Sequence, residues 1–266
     1  MKWNPEDYAK NSDAQLKWAK ELKQSLNLQG DESVLDVGCG DGKITADLAT
    51  TLPRGRVVGI DSSPDMIAYA TRTYGAKEYP NLAFACVDAR SLDFEQEFHL
   101  CFSNEALHWV DDHQAFLRGA SRSLRHGGRL VIACGGQGTA ADILQVFSEL
   151  ISWEPWKHYF DGFHNPYFFY GDQDYSIWLE KTGFNIERLE LVPKDMTHFG
   201  REGLAGWIRT TWMPFTQYVP ESKRDDFITH FVETYLERIP PDQDGLVHVR
   251  MVKLEVNALK SYGIPE

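Results

Sequence analysis

The sequence is short of the features that carry whole classes of function. Its four cysteines, Cys39, Cys86, Cys101 and Cys134, lie far apart with no C-x-x-C pair. That spacing excludes a zinc ribbon or the disulfide framework of a small secreted domain, and no metal site is expected. Positive charge is scarce: 27 Lys and Arg stand against 39 Asp and Glu, a formal net charge of -12. Sequence-independent binding to nucleic acid or to an anionic membrane needs clustered cations, so neither partner is expected. No apolar run approaches the roughly 20 residues that span a bilayer, and the opening MKWNPEDYAK has no apolar segment of the signal-peptide kind. A cytoplasmic protein is the expectation. No tyrosine has a lysine four positions on, so the catalytic pair of short-chain nicotinamide oxidoreductases is missing.

What is there is a βα rhythm. The 266 residues are enough for one α/β domain with a sizeable insert. A helix over residues 12 to 28, with Leu16, Ala19, Leu22 and Leu26 on one face, precedes a first strand, Ser33–Val37. Strands at Arg56–Ile60, Leu82–Cys86, Phe98–Phe102 and Arg129–Cys134 then alternate with helices from Gly42, from Pro64 to about Tyr74, and after Asp111. Short apolar strands between helices predict a parallel sheet covered on both faces.

Beyond Gly138 the rhythm breaks into a stretch dense in Trp, Tyr and Phe among Pro and Gly, which reads as a cap over a pocket. Helices near Ser176–Lys181, Gly203–Trp212 and Glu221–Arg238, and the alternating stretches FNIERLELV and LVHVRMVKLEVNAL, complete the pattern. The expected arrangement is a single Rossmann-like domain with a seven-stranded, mostly parallel sheet. Residues 1–138 form its ligand-binding core, 139–183 and 197–240 its aromatic-rich helical cap, and 184–192 and 246–259 its closing strands.

The stretch VLDVGCGDG, residues 34 to 42, decides the ligand. A dinucleotide fingerprint needs G-x-G-x-x-G, but Lys43 stands where the third glycine belongs; a phosphate-binding P-loop fails at Val37 and Ile44. Asp36 before the turn would repel a pyrophosphate and suits a ligand with an ammonium group. Asp61 lies about 20 residues beyond the turn, where an acid takes ribose hydroxyls in such folds. Together they describe a nucleoside with a cationic, amino-acid-like tail. Asp41 is left to shape the turn or cap the helix.

Five stretches in order, VLDVGCGDG, GIDSSPDMIAYA, CVDARSLDF, FSNEALHWVDD and LRHGGRLVIA, resemble the motif series of the class I S-adenosylmethionine-dependent methyltransferases. The resemblance implies S-adenosylmethionine as cofactor, with Gly38, Cys39, Gly40 and Gly42 near the methionine part and Asp36 at its amino group. It places Asp61 and Ser62 at the ribose, Met66 on the adenine, Asp88 and the backbone of Ala89 at the adenine edge, and Ser103 and Asn104, at the start of the fourth motif, among the cofactor-binding residues. YAKNSDAQLKWA, LHW, WIRTTWMPF and YLERIPPDQDG are similar to the trans-aconitate and juvenile hormone acid methyltransferases, which esterify carboxylic acids. That implies roles for Tyr8 over the cofactor, Gln15 at the substrate mouth and Trp109 at the pocket.

The activity so implied is methyl transfer to a small-molecule acceptor, foremost a carboxylate oxygen. A carboxylate is already ionised near neutral pH and needs no general base; a hydroxyl, phenol, amine or carbon acceptor would draw on His108, with His158 and His164 behind it. Arg209, ahead of Arg201 and Arg250, is the cation for a substrate carboxylate. The aromatic wealth favours an acid with an apolar body. A non-catalytic S-adenosylmethionine-binding protein is the alternative of another class. Bland readings stand beside these: Asp88 as a turn acid, Gln15 as a solvated helix residue, Trp109 as core filling, and His108 as a structural histidine.

Overall fold

The computed structural model describes residues 26–262. Tyr8, Gln15 and most of the expected first helix lie outside the described residues. Seven strands form one sheet in the order β3-β2-β1-β4-β5-β7-β6: β1 is Ser33–Val37, β2 Arg56–Asp61, β3 Leu82–Cys86, β4 Phe98–Asn104, β5 Leu124–Gly135, β6 Phe184–Phe199 and β7 Leu246–Lys260. Among the described residues seven helices of nine residues or more accompany them: α1 Lys43–Thr51, α2 Pro64–Thr73, α3 His113–Ser123, α4 Ala141–Leu150, α5 Asp172–Lys181, α6 Gly200–Thr211 and α7 Glu221–Arg238.

The first five strands pair in parallel, with Asp36 level with Gly59 on β2 and Phe102 on β4. Val34, Leu35 and Val37 are buried because β1 has a neighbour on each side and helices over both faces. Helix starts follow local chemistry. Ser63 accepts the Met66 amide at the head of α2, with Pro64 in the first turn, and Asp112 accepts the Ala115 amide at the head of α3.

Strand order reverses between β1 and β4. In an open parallel sheet this switch point leaves a crevice beyond the carboxyl ends of the two strands, where ligands bind. The turn at residues 38–42 leaves β1 there, and Asn104 ends β4 beside it.

The chain divides into two compact units. One, the sheet unit, holds β1 to β5 and comprises residues up to Gly136, Tyr167–Leu191 and the chain from Leu254 on; the other comprises Gln137–Pro166 and Val192–Lys253, so the boundary runs through β6 and β7. The aromatic stretch thus splits at Pro166, and its second half, with α5, belongs to the sheet unit. In the other unit Phe147 lies 4.2 Å from both Phe215 and Phe231, ring centre to ring centre, and the Trp156 indole donates to His230 at 2.9 Å. Among the described residues no helix is long and apolar enough to cross a membrane.

Several elements run beyond their expected bounds. α5 begins at Asp172, before the expected Ser176, because its polar first turn is fixed by the Asp174 carboxylate accepting the Gly171 amide. β5 begins at Leu124 because that residue pairs with Phe98 across an irregularity ahead of the regular register. Leu35 is fully buried in the sheet unit's core, and Leu35→Ala should cost about 2–5 kcal/mol in urea unfolding through lost packing and a residual cavity. A loss under about 1 kcal/mol would mean that β1 is not the packed centre of that unit.

Candidate functional site

All three turn glycines have left-handed backbones: φ is +79° at Gly38, +54° at Gly40 and +81° at Gly42. Side-chain-bearing residues rarely adopt these values. At two of them space is also forbidden. A Cβ on Gly38 would fall 2.1 Å from the Ala106 Cβ, and one on Gly42 would fall 2.8 Å from Ala70 and Phe84. A Cβ on Gly40 would meet no atom within 4 Å, so this residue turns a bare backbone face to open space.

The turn is tied down by its neighbours. The amides of Gly38 and Cys39 donate to the Ile60 carbonyl at 2.8 and 2.9 Å. Asp61 joins two turns, one carboxylate oxygen accepting the Gly40 amide at 3.0 Å and the other the Ser63 amide at 2.8 Å. Asp41 accepts the Lys43 amide at 3.1 Å and so caps α1, whose cap residue, Gly42, has no side chain to do it.

Negative charge is concentrated here, with Lys43 beside Asp41 acting to lower that carboxyl. Asp36 is buried, with Thr45 donating to it at 2.7 Å, and burial pushes its carboxyl up to about 7 against the effect of that bond. Burial also raises Asp61 and Asp41, and it raises the Cys39 thiol well above its ordinary value. Among the described residues neither Asp36 nor Asp61 has an ion-pair partner. A cationic ligand group would supply what the protein withholds.

Across the switch point, the Ser103 hydroxyl donates to the Val37 carbonyl at 2.8 Å. Asn104 is only 8% exposed, and neither atom of its amide has a hydrogen-bond partner among the described residues. A buried side-chain amide left so costs free energy unless a ligand or water completes it. Glu105 then takes a left-handed φ of +54° and swings the chain into a 3-10 turn, Leu107–Trp109. Ala106, packed on Gly38, brings that turn against the glycines.

His108 Nδ1 accepts the Gly135 amide at 3.3 Å, which puts the ring proton of a neutral imidazole on Nε2. Around it lie Trp109, Tyr167 and Phe169 at 5.7, 6.2 and 6.0 Å, and the Trp109 and Tyr167 rings are 4.6 Å apart. Burial alone pushes the Tyr167 phenol up, so it stays protonated. The Phe168 amide donates to the His108 carbonyl at 2.9 Å, fixing the aromatic strand of residues 167–170 beside the turn.

The remaining expected residues fall in different settings. Asp88 caps the 3-10 turn Ala89–Ser91 through the Arg90 amide, and the Arg90 guanidinium grips both its oxygens at 2.7–3.2 Å while reaching Asp111 at 2.8 Å. The side-chain bond from Arg90 holds the Asp88 carboxyl below its ordinary range. Met66 is buried under the head of α2, and Ser62 is exposed beside Asp61. Arg209 belongs to the other unit, exposed on α6 and 3.6 Å from Asp225; Arg201 pairs there with Glu233 at 3.1 Å, and Arg250 is exposed. His158 and His164 are exposed in that unit as well. Sequence reasoning passed over Thr45, His113 and Tyr175, whose partners are set by the fold, and Arg90, whose local partner Asp88 is two residues away but whose bond to Asp111 is set by the fold.

Compared with known proteins, residues 34–128 match a family described as a methyltransferase domain. An uncharacterized methyltransferase of Schizosaccharomyces pombe is 36% identical over 197 residues, covering 72% of this chain and 74% of the relative. A trans-aconitate 2-methyltransferase of Escherichia coli is 28% identical over 263 residues, covering 97% of this chain and 98% of the relative. Geranyl diphosphate C-methyltransferase from Streptomyces coelicolor, solved with S-adenosyl-L-homocysteine, is similar in fold, with a TM-score of 0.56 at 15% identity over 92% of this chain and 76% of that one.

The Thr45 bond favours the ionised form of Asp36, so Thr45→Val should raise the titration midpoint of that carboxyl above about 7. Carbon-13 NMR of the Asp carboxyls measures it; an unchanged or lowered midpoint would refute the bond.

Proposed function

Because the chain belongs to the class I S-adenosylmethionine-dependent methyltransferases, we propose that it transfers a methyl group to a carboxylate oxygen of a small organic acid. The residues at the switch point fit the cofactor on three counts. The Gly40 backbone faces open space, the Asn104 amide is buried with no partner among the described residues, and the buried Asp36 and half-buried Asp61 have no ion-pair partner among those residues. When bound, S-adenosylmethionine supplies a methyl group on a sulfonium, ready for in-line displacement.

The protein's part is to bind, orient and exclude water. Asp36 pairs with the ammonium of the methionine tail, and Asp61, held rigid by two amides, uses its remaining lone pairs for the ribose hydroxyls. Met66 packs on the adenine. The Arg90 grip fills the Asp88 carboxylate, so adenine recognition passes to the backbone at Ala89, in the turn that Asp88 caps.

The observation that carries the acceptor assignment is the His108 tautomer. A general base needs a free lone pair, and the one on Nδ1 accepts the Gly135 amide. In this tautomer His108 therefore has no lone pair left with which to take a proton from an acceptor. An acceptor that arrives already ionised fits such a site, and at neutral pH that is a carboxylate. The aromatic rings of Trp109, Tyr167 and Phe169 favour an apolar body and a water-poor setting for alignment. The trans-aconitate 2-methyltransferases, by name, act on an acid.

Asp36→Asn should weaken S-adenosylhomocysteine binding at least about tenfold, since a charged hydrogen bond is worth about 1.5–3 kcal/mol. Wild-type affinity should fall as pH drops through about 7, because protonated Asp36 cannot pair with the ammonium. Calorimetric titration across pH reads both, and a flat profile with an intact Asn variant would remove Asp36 from the ammonium. In a screen with labelled methyl donor, aryl and alkyl monocarboxylic acids should take label at pH 7. Label only on phenols or amines would overturn the carboxylate assignment.

A further inference from the structure

His113 begins α3 and is 1% exposed, yet both its ring nitrogens are engaged. Nε2 lies 2.7 Å from the Leu107 carbonyl, which can only accept, so Nε2 carries the proton. Nδ1 is then an acceptor and takes the hydroxyl proton of Tyr175 at 2.5 Å. Tyr175 is itself fully buried at the start of α5. The rings of Tyr170 and Trp178 complete the surround at 4.6 and 6.4 Å from the imidazole, and the Tyr170 hydroxyl donates to the Asp111 carbonyl at 2.8 Å.

The Leu107 carbonyl is the hinge pin of the 3-10 turn. It accepts the Val110 amide at 2.8 Å, closing the turn, and it accepts His113 on its second lone pair. The turn's own amide and a side chain of α3 thus hold one carbonyl, and the next residue along the chain is His108. We infer that His113, braced by Tyr175, is a positioning residue that fixes the Leu107–Trp109 turn and thereby locks His108 with Nδ1 on the Gly135 amide.

Burial pushes the His113 ring down to about 4, so it stays neutral and keeps this donor and acceptor pattern at neutral pH. The lock itself stands on the geometry alone; its bearing on the acceptor rests on the function proposed above.

Nitrogen-15 NMR of the full-length protein, with the His108 signals identified by their loss in His108→Gln, tests the lock without any acceptor. In the wild type His108 should show one tautomer, with Nδ1 unprotonated. His113→Asn, too short to reach Leu107, should lose that single-tautomer signature. His113→Gln places an amide donor near the Nε2 position and should restore it. S-adenosylhomocysteine affinity should change by less than about threefold in each variant, which marks a local effect. If His113→Asn does not fold, Tyr175→Phe, which removes only the brace, should still broaden or split the His108 signals. An unchanged His108 in the folded Asn or Phe variant, or equal loss in Asn and Gln, would overturn the lock. A lock that behaves as expected alongside a failed acid screen would remove the acceptor assignment alone.

Discussion

The contact between Gly38 and Ala106 organises everything else at the sheet's carboxyl edge. A single methyl group on Gly38 would collide with the Ala106 side chain, so the chain leaving β1 and the chain leaving β4 meet at van der Waals distance. The consequence is geometric. The glycine turn and the turn that carries His108 and Trp109 are packed directly on each other, and methyl transfer depends on alignment of the reacting groups. The left-handed backbones at Gly38 and Glu105 are the local strain by which this approach is reached.

Electrostatics works in the same place with the opposite economy. Asp36 sits in the core with one hydroxyl and no cation for company, and Asp61 raises it further. Buried charge without a partner is unfavourable in the free protein, and the penalty is relieved by a ligand that brings its own positive charge. Asn104 repeats the theme with an amide instead of a carboxylate.

Much of this was legible in the sequence because it rests on local chemistry. The glycine spacing, Asp36 and Asp61 each follow a strand whose apolar pattern is plain, and Ser63-Pro64 and Asp112 mark helix starts by capping rules. The bounds of α7 follow from its apolar periodicity in the same way. What escaped depends on distance in the chain. Thr45 meets Asp36 only once α1 packs on β1, and Tyr175 reaches His113 across 62 positions. Asp88 shows the limit from the other side: a motif suggests an adenine contact, while the fold gives its carboxylate to Arg90. The polar first turn of α5 and the irregular start of β5 carry no apolar rhythm, so they lay outside the expected bounds.

The Asp61 carboxylate illustrates how one residue becomes subject to two kinds of inheritance. Each of its oxygens faces a backbone N–H, from Gly40 on one side and Ser63 on the other. An asparagine there would turn an N–H toward another N–H, so the acid is required to shape both turns even with nothing bound. Selection for stability and selection for ligand therefore converge on the same atom. A descendant that had lost its ligand would still keep this aspartate, while Asn104, whose amide has no hydrogen-bond partner among the described residues, would be free to drift.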